Sequence, residues 1–127
     1  IPYKILFQPI SDCWAYFLLI AFPLTISLAE LATYFGYIMP RLENVFTIER
    51  YAILLPILFL SIQHCCLPLL FNAHFILYRA LMYLPFAAII GIALNKRPRL
   101  LPYFVILHGL MDMQAVIMLI LENNHLL

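Results

Sequence analysis

The strongest constraint on this chain is how long it runs without charge. No charged side chain occurs from Cys13 to Ala29, and from Tyr51 to Tyr78 there is no Asp, Glu, Lys or Arg, only His64 and His74. An apolar run of about 20 residues is long enough to cross a bilayer as a helix. In lipid a backbone must satisfy its own N–H and C=O groups, which leaves helices or closed barrels. Of the 127 residues, 66% are hydrophobic and 10% charged, against roughly half and a quarter in a soluble domain. Such a chain lacks the polar surface to cover a core, so its solvent is membrane lipid. The expectation is a single all-α domain: a polytopic integral membrane protein, a bundle of four transmembrane helices with a polar intramembrane site. No basic block points to nucleic acid. Cys13, Cys65 and Cys66 are odd in number and sit in apolar segments, which argues against a disulfide framework.

Taken in order, residues 1–11 read as an interfacial lead-in with two prolines. Lys4 followed by an apolar run has the outline of a signal peptide. The run continues to Ala29 without a small-residue cleavage pattern, so it reads as a retained span. The first helix is expected near 12–39, ending at Pro40-Arg41. A polar connection at 40–50 follows. The second helix is placed near 51–71 and the third near 73–94, split at Phe71-Asn72-Ala73. After the basic loop Asn95-Lys96-Arg97-Pro98-Arg99 comes a fourth helix near 100–121. The loops 40–50 and 95–99 hold Arg41, Arg50, Lys96, Arg97 and Arg99, so the positive-inside rule assigns both to the cytoplasm.

Against this background the intramembrane polar residues stand out, because ionisable groups at that depth need partners and mark function. His108 and Asp112 are four apart and share a helix face. Counted from the loop side, Glu30, His64, His108 and Asp112 all lie roughly 12–20 Å deep at about 1.5 Å per residue. A carboxylate in an apolar cavity can act as a base toward water. Two histidines can hold a metal, zinc being the natural candidate, or donate hydrogen bonds to an oxyanion. Asp112 can orient His108, ligate a metal or hold the water. The set suits hydrolysis of a peptide bond inside the membrane. Arg79 has two alternatives: to snorkel outward, or to pair with Glu30 or Asp112. His74 and His125 read as interfacial, and Cys65-Cys66 as apolar filler.

The order of these residues resembles the CAAX protease and bacteriocin-processing family of intramembrane proteases (CPBP or Abi). Its first motif is a Glu-Glu pair, two variable residues, an aromatic, Arg and Gly. Glu30-Leu31-Ala32-Thr33-Tyr34-Phe35-Gly36 matches at the first glutamate, the aromatic and the glycine. Leu60-Ser61-Ile62-Gln63-His64 is similar to the second motif, with Leu60 where the family has Phe and the histidine near mid-helix. His108-Gly109-Leu110-Met111-Asp112 matches the third in full. The resemblance implies Glu30 as water-activating base, His64 and His108 as ligands or oxyanion donors, and Asp112 as orienter. Leu31 and Phe35 replace the second glutamate and the arginine.

The expected function is therefore a CPBP-type intramembrane endopeptidase acting on a membrane-associated, prenylated or leader-bearing peptide or protein, with room for further membrane subunits. Two alternatives stand beside it. One is a catalytically degenerate relative serving as an immunity, scaffold or chaperone subunit, which Leu31 and Phe35 favour. The other is an ion or proton pathway.

Overall fold

The computed structural model describes residues 11–66 and 70–123. The readings of residues 1–10 and of His125 lie outside the described residues. Every regular element among the described residues is helical. Helix α1 spans Asp12–Leu31 and passes into a π-helical segment, Ala32–Ile38, and then into α2, Met39–Glu43. Helix α3 spans Glu49–Gln63 and α4 spans Ala73–Lys96. A 3-10 turn, Pro98–Leu100, leads into α5, Leu101–Asn123.

Among the described residues, three helical stretches are long and apolar enough to cross a membrane: Asp12–Glu43, Ala73–Lys96 and Pro98–Met118. Their outward surface is apolar too. Trp14, Ile20, Leu24, Ile89, Tyr103 and Ile106 are all more than half exposed, a pattern suited to lipid and costly in water.

Two expectations about helix ends need correction. The first helix does not stop at Pro40-Arg41. Proline lacks the N–H that an α-helix would send back four residues, but the backbone has already widened its register there: the Met39 N–H bonds the Tyr34 carbonyl, five residues back. The helix therefore carries through Pro40 to Glu43, where the Asn44 N–H closes on Arg41 and Leu42. The second helix ends at Gln63, not near residue 71, with His64 as its C-cap. An α-helix continuing past His64 would need the N–H of residue 68 for the His64 carbonyl, and that residue is proline. The split before the third helix lies where the sequence places it. Asn72 is the N-cap of α4, and its side chain accepts from the Phe75 N–H at 3.0 Å, satisfying one orphan donor of the first turn.

The chain forms two compact units, Glu30–Pro102 and the described residues up to Ala29 with those from Tyr103 onward. In the first, α3 packs on α4 and on the π segment. Its core is Leu31, Phe35, Ala52, Ile57, Leu60, Ile90 and Leu94. Gly91 allows the close approach: a Cβ there would lie 2.6 Å from Ile57 Cγ1 and 3.1 Å from Phe35 Cε1. Ser61, buried, donates to the Ala80 carbonyl at 2.6 Å and ties α3 to α4 by a polar bond. In the second unit, Gly109 of α5 faces α1, and a Cβ on it would lie 3.2 Å from Ser27 Oγ. Ser27 is itself buried and donates to the Pro23 carbonyl.

Candidate functional site

Glu30 occupies the last turn of α1, just before the π segment. Its side chain is 11% exposed, and a carboxylate withdrawn from solvent needs donors. Gln63, the last residue of α3, supplies one: its Nε2 donates to Glu30 Oε1 at 2.5 Å. Tyr34, one turn past Glu30, donates its hydroxyl to Gln63 Oε1 at 2.6 Å. The phenol fixes the amide. With Oε1 of Gln63 taken by a donor, the NH₂ end faces the carboxylate. A hydrogen bond to a charged group contributes roughly 1.5–3 kcal/mol net, so this clamp is a sizeable tie between the first helix and α3.

The other carboxylate oxygen, Oε2, lies 3.9 Å from His64 Nε2. His64 Nδ1 is 2.7 Å from the Leu60 carbonyl. A carbonyl can only accept, so Nδ1 carries the proton and Nε2 of the neutral ring is the lone-pair nitrogen. The ring is held flat by Tyr83, stacked at 3.9 Å between centroids and 23° between planes. Arg79 completes the support. Its Nε donates to the His64 carbonyl at 3.1 Å, its Nη1 to the Tyr83 hydroxyl at 3.4 Å, and its guanidinium carbon lies 5.0 Å from the Tyr83 ring centre. The His64 carbonyl is one that helix termination leaves over, and a cation at a helix C-terminus is favourable. Arg79 thus turns inward onto its neighbours.

The family's second motif sets its histidine near mid-helix; His64 instead caps the end of α3. That position is what lets Arg79 reach its carbonyl.

In the other unit, His108 and Asp112 lie on one face of α5, as their spacing requires. Nε2 of His108 is 4.0 Å from Asp112 Oδ2, with the side chains 4% and 17% exposed. The structure brings Glu30 to His64 within one unit and His108 to Asp112 within the other. Leu31 and Phe35, where the family carries a glutamate and an arginine, are core residues, 0% and 3% exposed.

Two participants were not singled out from the sequence, Gln63 and Tyr83, and Tyr34 entered there only as the aromatic position of the first motif. Gln63 had a signal, as an uncharged polar residue in a long apolar run. Tyr83 had none, being indistinguishable from a lipid-facing aromatic until the helices are packed.

The Glu30–His64 donor set suits a divalent metal such as zinc. A histidine whose Nδ1–H is held by a backbone carbonyl presents Nε2 as metal-ligating histidines do. Two ligands of a tetrahedral zinc lie about 3.3 Å apart, so the 3.9 Å pair needs only a small closure. The same gap suits a water held by two hydrogen bonds of about 2.8 Å meeting near a right angle.

No family model, curated protein or solved structure matches the chain.

Proposed function

We propose that this chain is an integral membrane peptide hydrolase of CPBP type, with the loops at 40–50 and 95–99 on the cytoplasmic side. Three stretches cross the bilayer. Helix α3, with 15 residues, is too short to span and forms the fourth member, entering from the loop side and ending at His64 within the membrane. Non-helical backbone at that depth is tolerated when buried in protein. The substrate is a membrane-associated peptide or protein, prenylated or leader-bearing.

The observation that carries this reading is the 3.9 Å gap between Glu30 Oε2 and His64 Nε2, with both groups held from behind. A water in the gap donates one hydrogen to each. Its lone pair then faces outward, toward a substrate carbonyl carbon. As the C–O bond forms, Glu30 Oε2 takes the proton. When the C–N bond breaks, Glu30 returns the proton to the leaving amine. Gln63 keeps the carboxylate from rotating, so the same oxygen serves both steps. Neutral His64 orients the water, because its donor hydrogen is committed to Leu60. Stabilising the oxyanion falls to His108, oriented by Asp112, as the family resemblance implies. If zinc is the cofactor, Glu30 and His64 are residues that would hold it, and it would supply Lewis-acid polarisation of the carbonyl.

The test is proteolysis of prenylated and leader-bearing peptides by the purified chain in detergent, wild type against Glu30→Gln and His108→Ala. Both variants are expected to lose cleavage. Equal activity in all three ends the catalytic assignment.

A second reading is favoured by the burial of Leu31 and Phe35. Two positions that are polar in the family are packing residues here, as in a relative kept for scaffolding or immunity. Full cellular function with Glu30→Gln would select that reading.

A further inference from the structure

A second feature lies apart from Glu30 and His64, within the same unit. A cleft of about 320 Å³ opens where the π segment and α2 meet the end of α4 and the 3-10 turn. That volume is at the small end of the roughly 300–1,000 Å³ typical of ligand sites. Its floor is apolar: Phe35, Met39 and Leu94 line it and are themselves buried. Gly36 lets the wall close tightly on Leu101, since a Cβ there would lie 3.3 Å from Leu101 Cδ2. Two wall residues, Pro40 and Pro98, have no N–H to offer, so the walls contribute few backbone donors.

Charged residues of both signs lie in or next to this lining. Glu43 and Asn95 line the cleft, and Asn95 donates to Glu49 at 3.1 Å. Lys96, Arg97 and Arg99 flank the lining residues Asn95 and Pro98 and are exposed. Among the described residues, none of Glu43, Lys96, Arg97 and Arg99 takes part in an ion pair. The cleft also lies where Asp12–Glu43 and Ala73–Lys96, both of membrane-crossing length, come to their ends. An apolar floor with the Glu43 carboxylate in its lining and three exposed cations beside that lining in the chain complements an amphiphile whose head carries a phosphate and an ammonium.

We propose that this cleft binds a bilayer phospholipid with a primary amine in its headgroup. The acyl chain lies on Phe35, Met39 and Leu94. The phosphate is met by Arg97, Arg99 and Lys96, and the ammonium by Glu43. Basic pockets at the membrane face are known to take lipid phosphates; the carboxylate adds selectivity for the amine, because quaternary ammonium cannot donate hydrogen bonds to it.

The experiment is native mass spectrometry of the full chain in detergent, titrated with phosphatidylethanolamine, phosphatidylcholine and phosphatidylglycerol of matched acyl chains. Wild type is expected to bind phosphatidylethanolamine about tenfold more tightly than phosphatidylcholine, the scale of one charge-assisted hydrogen bond. Glu43→Gln should erase that preference and leave phosphatidylcholine binding in place. The double variant Arg97→Gln/Arg99→Gln should weaken both lipids alike. Gly36→Leu, which fills the wall, should weaken all three. Helical circular dichroism and the melting temperature without added lipid confirm that each variant is folded. A soluble headgroup, glycerophosphoethanolamine, should not compete at matched concentration; if it does, the site reads phosphate and amine without a bilayer lipid and the proposal fails. Equal binding of the amine and choline lipids, tighter binding of phosphatidylglycerol, or a preference that survives Glu43→Gln would each overturn it.

Discussion

The two imidazole–carboxylate pairs have nearly the same separation, 3.9 Å for Glu30–His64 and 4.0 Å for His108–Asp112, yet they are built in opposite ways. His108 and Asp112 are neighbours because an α-helix returns to the same face every three or four residues. Any sequence that keeps this stretch helical keeps them together. Glu30 and His64 belong to different helices and meet only because of packing. Their meeting is held by Gln63 and Tyr34 across the helices, and by Tyr83 and Arg79 behind the histidine. A local pair needs only the helix period to form. A packed pair has partners on every side, and each partner is a place where it can fail.

This contrast yields a graded set of predictions. The largest effect is expected at Glu30. Glu30→Gln keeps shape and removes the base, and should lower the peptide cleavage rate on the order of 10²–10⁴-fold, measured by product release in detergent. An undiminished rate would remove the packed pair from the chemistry.

Next come the supports of each pair. Gln63→Leu should reduce kcat about 10–100-fold and also lower the melting temperature, since it unties two helices. Asp112→Asn should reduce kcat on a similar scale with a smaller fall in melting temperature, because helix periodicity, not a bond between helices, brings Asp112 to His108. If Asp112→Asn melted lower than Gln63→Leu, the distinction between local and packed would collapse.

Tyr34→Phe is a finer probe. It removes one neutral hydrogen bond, worth about 1 kcal/mol, and leaves Gln63 free to rotate. A several-fold loss of rate is expected. In a Gln63→Leu background the same change should add nothing, and additivity there would show that Tyr34 does not act through Gln63.

The smallest contrast is between two glycines. Gly91→Ala puts a methyl group into Ile57 and should cost about 1–3 kcal/mol of stability. Gly109→Ala meets the Ser27 hydroxyl at 3.2 Å, with the Pro23 carbonyl oxygen at an ordinary 3.5 Å, and gains helix propensity of about 1 kcal/mol. Its net effect should stay within about 1 kcal/mol of zero, read by thermal or chemical denaturation of both variants.

Much of the architecture is a local matter and is legible in the residues. Charge-free runs call for helices, Asn72 caps one, and the four-residue spacing of His108 and Asp112 places them on a single face. These follow from hydrogen bonding and helix periodicity, which act over a few residues. The end of α3 and the passage through Pro40 were misread for a related reason. Proline marks a missing donor, but whether a helix stops or shifts its register depends on what else satisfies the carbonyls. At Pro40 a π turn absorbed the loss; at His64 the carbonyl found Arg79, fifteen residues on.

The sequence by itself therefore determined the helical, lipid-suited character of the chain and the pair on α5. Only the tertiary structure decided which side chains stand behind Glu30 and His64. Leu31 and Phe35 became core, while Gln63, Tyr34, Tyr83 and Arg79 became the supports. The physical reason is that contacts between helices depend on their relative rotation and depth, and a shift of one residue turns a side chain by about 100°. No local pattern carries that angle; it is set by how Gly91, Ile57 and Phe35 pack.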